Sequence, residues 1–520
     1  VRTSEIPILI VGGGAAGTVL SLELARRGVE FRTVDRLPDP ALTSRAITVH
    51  ARTLEMLERI DTRLAARYLQ RGIHNRGYVM HYVKEGVRSE VRPGLDFTAI
   101  DCRYPYLLIH RQSETEQFIR DYMLQEYGLE CEWNTRLTDV RQDDGGITAA
   151  LVHGADDAVK ELVRCDYLVA CDGINSRVRR SLDVAQTESD YQGTVLQNLD
   201  AYLNGFPDAE DYVHYCAGTD HFIMVVMLPG GFYRMLLSDR GEAADPNITP
   251  QQGFQRLLDQ HFDGVGIGDV VWHSQWESWV RLAKTYRSGN IFLAGDSAHV
   301  HSTTGGQGMN CCMQDAYNLG WKLALVAQGR AGPELLDSYE AERRPIAEQV
   351  IWAASSLHEI FMGHGQDIST RSRRMSDPEF LNAVVGRCSG ISYTYRDYVN
   401  QPPSLTAIAG PMIGDRAPDV DLQNGSALFD FTRHPDFTLI AIDAGGDRAA
   451  LDACTRRIRD RYGALIRTQV IDTEPALENY YGRESRSRLF LIRPDGYIGY
   501  RCLASESDQL DKYLASIFKL

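Results

Sequence analysis

Gly12-x-Gly14-x-x-Gly17 follows the apolar run Ile8-Leu9-Ile10-Val11 and precedes Thr18–Arg27, whose apolar residues have helical spacing. Glycines so spaced permit a tight turn and let a pyrophosphate approach the backbone. The first amides of the helix then offer free N–H groups and a partial positive charge. Gly28 ends the helix, Phe31–Val34 resumes a strand, and Asp35 closes it where a ribose could donate hydrogen bonds. Gly12, Gly14, Ala15, Ala16, Gly17, Asp35 and Arg36 are the expected dinucleotide contacts. The spacing alone does not separate FAD from NAD.

Two later segments repeat the arrangement of a buried strand followed by an acid and glycines. One is Tyr167-Leu168-Val169-Ala170-Cys171-Asp172-Gly173, continuing to Ser176-Arg177-Val178-Arg179. The other is Ile291-Phe292-Leu293-Ala294-Gly295-Asp296-Ser297-Ala298-His299, continuing through Gly305-Gly306-Gln307-Gly308-Met309-Asn310. Asp296 is placed to bind a polyol such as a ribityl chain. Gly306 and Gly308 open a helix whose amides could face a flavin edge that becomes anionic on reduction. No second G-x-G-x-x-G is present.

With these three motifs together, the chain resembles the single-component FAD-dependent aromatic hydroxylases, which include para-hydroxybenzoate hydroxylase, phenol hydroxylase and the aromatic polyketide hydroxylases. The resemblance runs through Gln314–Leu323 and Leu335–Pro345 and covers nearly the whole chain. It implies that Gly12, Gly14 and Gly17 wrap the pyrophosphate and that Asp35 holds the ribose. Arg45 and Gln112 would contact the flavin, Asp296 would hold its ribityl chain, and Gly308, Met309 and Asn310 would lie along the isoalloxazine. Asp172 would serve both FAD and NAD(P)H, or else organise its own loop.

The implied chemistry is reduction of FAD by NADPH or NADH, formation of a flavin C4a-hydroperoxide with O2, and hydroxylation of a phenolic or polyketide-type ring. Substrate-side candidates are His214, Tyr215, His221 and Tyr233, each of which also reads as an ordinary strand residue. Ser302 and Thr303 join them, standing where the family usually has two prolines; there the change either alters substrate contacts or is loop variation. A flavin-dependent halogenase is a rival, but Trp276-Glu277-Ser278-Trp279 lacks the W-x-W-x-I-P spacing. A non-catalytic flavin-binding scaffold is a second rival.

The elements that must position these residues read as an α/β protein. A discontinuous Rossmann-like FAD-binding domain is expected over 1–75, 101–185 and 282–355, with an inserted β-sheet substrate domain over 76–100 and 186–281. A helical connection over 356–404 leads to a thioredoxin-like domain over 405–520 that lacks C-x-x-C. Helices are expected near 115–126, 316–329 and 338–363, and strands at 147–152, 162–170, Phe222–Leu228 and Tyr233–Leu236. In the last unit the expectation is strand Phe437–Ile442, helix Arg448–Arg461, strand Leu465–Val470, a hairpin turning at Pro494-Asp495-Gly496 and helix Asp508–Phe518.

The 520 residues are 43% hydrophobic and 24% charged, as in globular proteins. A net charge of −15 argues against nucleic acid as a partner. No apolar stretch reaches membrane-spanning length and no basic leader opens the sequence, so a cytoplasmic protein is expected, with a homodimer as the family's suggestion. The ten cysteines form no C-x-x-C and are expected to be free, with Cys311-Cys312 serving packing. His299 and His301 have no evident third ligand, so no metal is expected. Trp276 and Trp279 read as packing residues, and Arg371-Ser372-Arg373-Arg374 as solvated surface.

Overall fold

The run Ile8–Val11 ends a long strand, Arg2–Val11, at the centre of a parallel sheet, where Ile8, Leu9 and Ile10 are wholly buried. The computed structural model describes residues 2–42, 46–154, 159–188, 194–207, 210–219, 221–239, 248–363, 367–399, 405, 408–445 and 448–519. Arg2–Val11 lies between Val159–Ala170 and Phe31–Val34, and Ile291–Leu293 runs parallel on the far side of Val159–Ala170. Strands Thr135–Asp143 and Gly146–His153 extend this sheet in antiparallel fashion. Being covered on both faces, its strands read as continuous apolar runs rather than alternating ones.

Helix Ala15–Ala25 is buried along its whole length and packs on helix Gly308–Ala327. The two approach so closely that a Cβ at Gly320 would lie 2.6 Å from the Glu23 Cβ. Glu23, fully buried, is held by Arg26 at 2.7 Å and Arg27 at 2.6 Å.

A second, seven-stranded sheet has the order Gly266–Ser278, Thr194–Asn204, Tyr233–Asp239, His221–Met227, Tyr212–Ala217, Gly77–Lys84 and Val87–Asp96. Its neighbours are antiparallel except Tyr212–Ala217 and Gly77–Lys84. Helix Pro250–His261 covers one face, burying Phe254, Leu257 and Leu258 against Ile223, Val225, Met235 and Leu237. Sequence reading assigned no helix there. The signal is a capping box, in which Gln252 N–H donates to Thr249 Oγ1 and Thr249 N–H to Gln252 Oε1, with Pro250 at the first position.

Most expected elements are observed within a few residues, Gln112–Tyr127 and Asp337–Met362 as helices and Gly146–His153 and Val159–Ala170 as strands, whereas the helix expected near 316–329 begins earlier and spans Gly308–Ala327. The carboxy-terminal unit is a four-stranded sheet in the order Ile466–Asp472, Phe437–Asp443, Arg488–Ile492, Ile498–Leu503, flanked by helices Arg448–Tyr462, Pro475–Tyr481 and Ser507–Ile517. All ten cysteines are free, and no helix among the described residues is long and apolar enough to cross a membrane. The basic run is corrected at Arg371, which is 1% exposed. Its guanidinium accepts no solvent role; it donates to the Ile360, Phe361 and Gly218 carbonyls, closing the end of helix Asp337–Met362.

Candidate functional site

Each glycine of the first motif meets a different constraint. Gly12 has φ +111°, and a Cβ there would lie 2.2 Å from the Cys171 carbonyl oxygen. A Cβ at Gly17 would lie 1.8 Å from the Gly12 carbonyl oxygen. These two close the turn against the neighbouring strand. Gly14 differs: it precedes the helix in extended conformation, and a Cβ there meets nothing within 4 Å. The space in front of Gly14 belongs to a cavity of about 480 Å³.

That cavity is lined by Gly13, Gly14, Ala15, Ala16, Asp35 and Gln112 at one end. Asp35 accepts from Gly13 N–H at 2.7 Å and from Leu37 N–H at 2.8 Å, which fixes the turn and leaves lone pairs on both oxygens. Arg36 is exposed and lies outside this lining. Glu116 also faces the cavity beside the start of helix Ala15–Ala25; burial raises its carboxyl, opposed by Gln112, Arg120 and the Ala15 amide. The sequence reading missed it.

Farther along, the lining takes in Asp296, Gly306, Gly308 and Met309. Asp296 is exposed to the cavity and accepts from the Cys312 thiol at 3.3 Å. Asn310 lies outside the lining, fully buried: it accepts from His50 N–H and donates to the Thr48 and Gly306 carbonyls, each at 2.9 Å, so it ties the flanking loops together. Asp172 also stays out of the lining; its Oδ2 accepts from the Arg177 and Val178 amides and caps the short helix Arg177–Ser181. Arg45 lies outside the described residues.

The rest of the cavity wall is the uncovered face of the seven-stranded sheet. Strand alternation decides which residues reach it. Val213 and Tyr215 line the cavity, whereas His214 and Cys216 point to the helix-covered face. Of the substrate-side candidates, Tyr215, Ser302 and Thr303 therefore line the cavity. The reading of His214, His221 and Tyr233 as substrate-side is corrected. His214 Nδ1 pairs with His81 Nε2 and His221 Nε2 with His261 Nε2, each at 2.9 Å, while Tyr233 packs on Phe206. Residues missed are Tyr78, Asn198, Met224, Arg234, Leu236 and His301. Trp276 and Trp279, read as packing residues, line the cavity as well.

Tyr215 and Tyr78 stand with ring centroids 4.6 Å apart and their hydroxyls are hydrogen-bonded to each other; burial pushes both phenols well up, so both are protonated at neutral pH. Arg234 forms a buried bidentate pair with Asp200, both bonds 2.7 Å. Ser302 is a strut: its hydroxyl meets His358 Nδ1 at 2.9 Å and Thr304 Oγ1 at 3.0 Å. Thr303 Oγ1 is buried without a partner among the described residues.

His299 is corrected in one respect, because Cys311 and Asp315 do join it, with ligand atoms within 4.8 Å of one another. Arg343 occupies the same cluster, 2.7 Å from Asp315 and 3.6 Å from the Cys311 sulfur. Its fixed positive charge already balances the carboxylate and opposes a metal cation there. Asp315 also accepts from Gly295 N–H at 3.2 Å, so this cluster holds the turn that presents Asp296.

Burial depresses His50 and His301 to about 4 each. Both are neutral in the folded protein and protonate near 6.5 once unfolded. The unfolded chain thus binds more protons between about pH 6.5 and 4, and stability falls as pH drops through that window, by up to ~3 kcal/mol per histidine. His299, raised well above its ordinary value beside Cys311 and Asp315, contributes with the opposite sign and does not share this acid loss. Urea midpoints at pH 7, 5.5 and 4.5 check this, and His301→Gln is expected to flatten the profile.

The carboxy-terminal unit reaches this region through its hairpin turn. Glu342 accepts from Lys322 at 2.7 Å and from Arg493 at 2.6 and 2.8 Å. Asp495 accepts from Arg493 at 2.5 Å, Asn318 at 3.1 Å and Trp321 at 3.2 Å. All four charged groups are buried. Desolvation lowers Lys322 to about 8, while Arg493 and Lys322 hold the Glu342 carboxyl well below the usual range.

Two family models match this chain, "FAD binding domain" over residues 5–354 and "Aromatic-ring hydroxylase, C-terminal" over 410–519. They define a flavoprotein oxidoreductase. The chain belongs to the FAD-dependent aromatic-ring hydroxylases. It is 37% identical to pentachlorophenol 4-monooxygenase of Sphingobium chlorophenolicum, over 98% of this chain and 96% of that one. It is 36% identical to 6-methylpretetramide 4-monooxygenase of Streptomyces rimosus, over 99% and 94%. The structure of aklavinone-11 hydroxylase with FAD and aklavinone aligns with a TM-score of 0.78 at 25% identity, covering 99% of each chain.

Proposed function

We propose that the protein uses NAD(P)H and O2 to hydroxylate a phenolic or polyketide-type aromatic ring. The observation that carries this reading is a single cavity joining the Gly13–Ala16 turn, Asp35 and Asp296 to an apolar sheet wall of Tyr78, Val213, Tyr215, Met224 and Leu236. Its residues fit FAD. The turn around Gly14, open where a Cβ would stand, would take the pyrophosphate, with Asp35 on the ribose and Asp296 on the ribityl chain. Gly308 and Met309, opening helix Gly308–Ala327, would place free amides against the flavin ring, with Gln112 near it.

FAD, when bound and reduced, supplies the activation of O2 and the transfer of one oxygen atom. The chain's own task is to hold the ring and exclude water. The apolar wall does both, and Tyr215, whose hydroxyl accepts from Tyr78, keeps its own O–H to offer a ring oxygen. The seven-stranded sheet is read as the substrate domain, the parallel sheet as the Rossmann-like FAD domain and the carboxy-terminal sheet as thioredoxin-like.

Turnover of a panel of phenols with NADPH under isotopically labelled O2 tests the reading. One labelled oxygen in the product is expected, with anaerobic reduction of bound FAD faster when the substrate is present. Reduction without label incorporation for any phenol would sink it.

A further inference from the structure

Asn198 sits mid-strand on the cavity face of the seven-stranded sheet, opposite Leu236 on one side and Ser274 on the other. It is 1% exposed, and its Nδ2 has no partner among the described residues. The Ser274 hydroxyl beside it also lacks one. A buried amide left unpaired costs free energy, and asparagine is a poor strand former besides. Leucine or valine would satisfy every local requirement of the position. A persistent unpaired amide in such a wall points to a partner that arrives from the cavity. The loop wall of the same cavity carries Thr303 Oγ1, a further lining group with no partner among the described residues. A mostly apolar pocket with a few aimed polar groups is how ligand sites fix orientation.

We propose that Asn198 is a specificity-determining residue whose Nδ2 donates to an oxygen substituent of the aromatic substrate. This rests on the hydroxylase reading and narrows it. The cavity then selects phenols that carry a second oxygen acceptor, such as a carbonyl, over phenols with an alkyl group in its place. A site built around a buried hydrogen bond rejects the analogue that lacks it, because the site's own polar group is left unpaired.

The test uses the FAD-loaded protein without NADPH, so that no turnover occurs. Dissociation constants are measured calorimetrically for 4-hydroxyacetophenone and 4-ethylphenol, which share a ring, a hydroxyl and a two-carbon chain. The parent protein is expected to hold the ketone at least about tenfold more tightly. In Asn198→Leu the ratio falls to about one, with 4-ethylphenol held within about twofold of the parent and the urea midpoint unchanged or higher. A residue that served only the fold would lower the midpoint and leave the ratio intact. Equal affinities in the parent, no binding of either compound, or an undiminished ratio in the variant would each overturn the proposal. Should Asn198→Leu not fold, Asn198→Asp, which keeps the shape and removes the donor, takes its place, and an undiminished ratio there overturns the proposal. If the ketone preference holds but labelled oxygen never enters a phenol, the hydroxylase reading fails and the role of Asn198 stands.

Discussion

A Gly14→Ala protein is expected to fold as the parent does and to hold FAD about a hundredfold more weakly. Gly14 precedes its helix at φ −77° and ψ −166°, a conformation alanine adopts freely, and the added methyl meets no protein atom within 4 Å. Stability should therefore change by no more than about 1 kcal/mol. The methyl instead stands where a pyrophosphate must approach the helix amides. Charge-assisted hydrogen bonds are worth ~1.5–3 kcal/mol each, so displacing them by one methyl radius costs the stated factor. Gly17→Ala supplies the contrast. Its methyl would press on the Gly12 carbonyl at 1.8 Å, so the turn itself must shift and the apoprotein loses stability. Apoprotein urea midpoints beside FAD titrations separate the two. Equal FAD affinity in Gly14→Ala and parent would contradict the placement of the pyrophosphate.

Glu342→Gln should destabilise the protein by about 3–5 kcal/mol, because it leaves Lys322 and Arg493 facing each other without their shared carboxylate. Desolvation has already driven Lys322 down to about 8, so the variant sheds part of the cost by releasing that proton. Lys322 thereby acquires a pH signature. Its folded value below the ordinary one means the unfolded chain binds more protons above pH 8, so stability rises with pH from there toward 10.5. The rise should begin at lower pH and be larger in total in Glu342→Gln, and Lys322→Met added to it should restore part of the loss. Urea unfolding of the four proteins as a double-mutant cycle measures both. Additive losses would mean that the two residues do not act as one unit.

Much of the end of the cavity proposed for the cofactor was legible in the sequence because its constraints are local. Gly12, Gly14, Gly17 and Asp35 lie within one strand–turn–helix–strand unit, and Asp296 follows its strand directly. The substrate wall was not. His214 and Tyr215 are adjacent, equally buried and equally plausible as chemistry, and only the register of their strand against Gly77–Lys84 decides which faces the cavity. A one-residue shift would exchange them. Asn198 and Arg234 carry no motif, and their position depends on sheet order. Asn310 reads as a ligand contact because it follows a motif, yet its side chain is engaged by the backbone around it, whereas Asp172 organises its own loop through Oδ2 while its buried Oδ1 has no partner among the described residues. Arg371 read as surface because its charged neighbours are exposed, whereas its own partners are carbonyls 10 and 11 residues earlier.

The hairpin turn at Pro494–Gly496 imposes an order on biosynthesis. Glu342, Lys322, Asn318 and Trp321 all leave the ribosome long before Arg493 and Asp495, the partners that complete their bonding. At about 5–20 residues per second the nascent flavin-binding part waits roughly 8–30 s with that face uncovered. The helices that carry the Gly308 and Asp296 end of the cavity are thus finished only when the last strands arrive. A chain truncated before the hairpin would leave the carboxylate of Glu342 without Arg493, and Asn318 and Trp321 without Asp495.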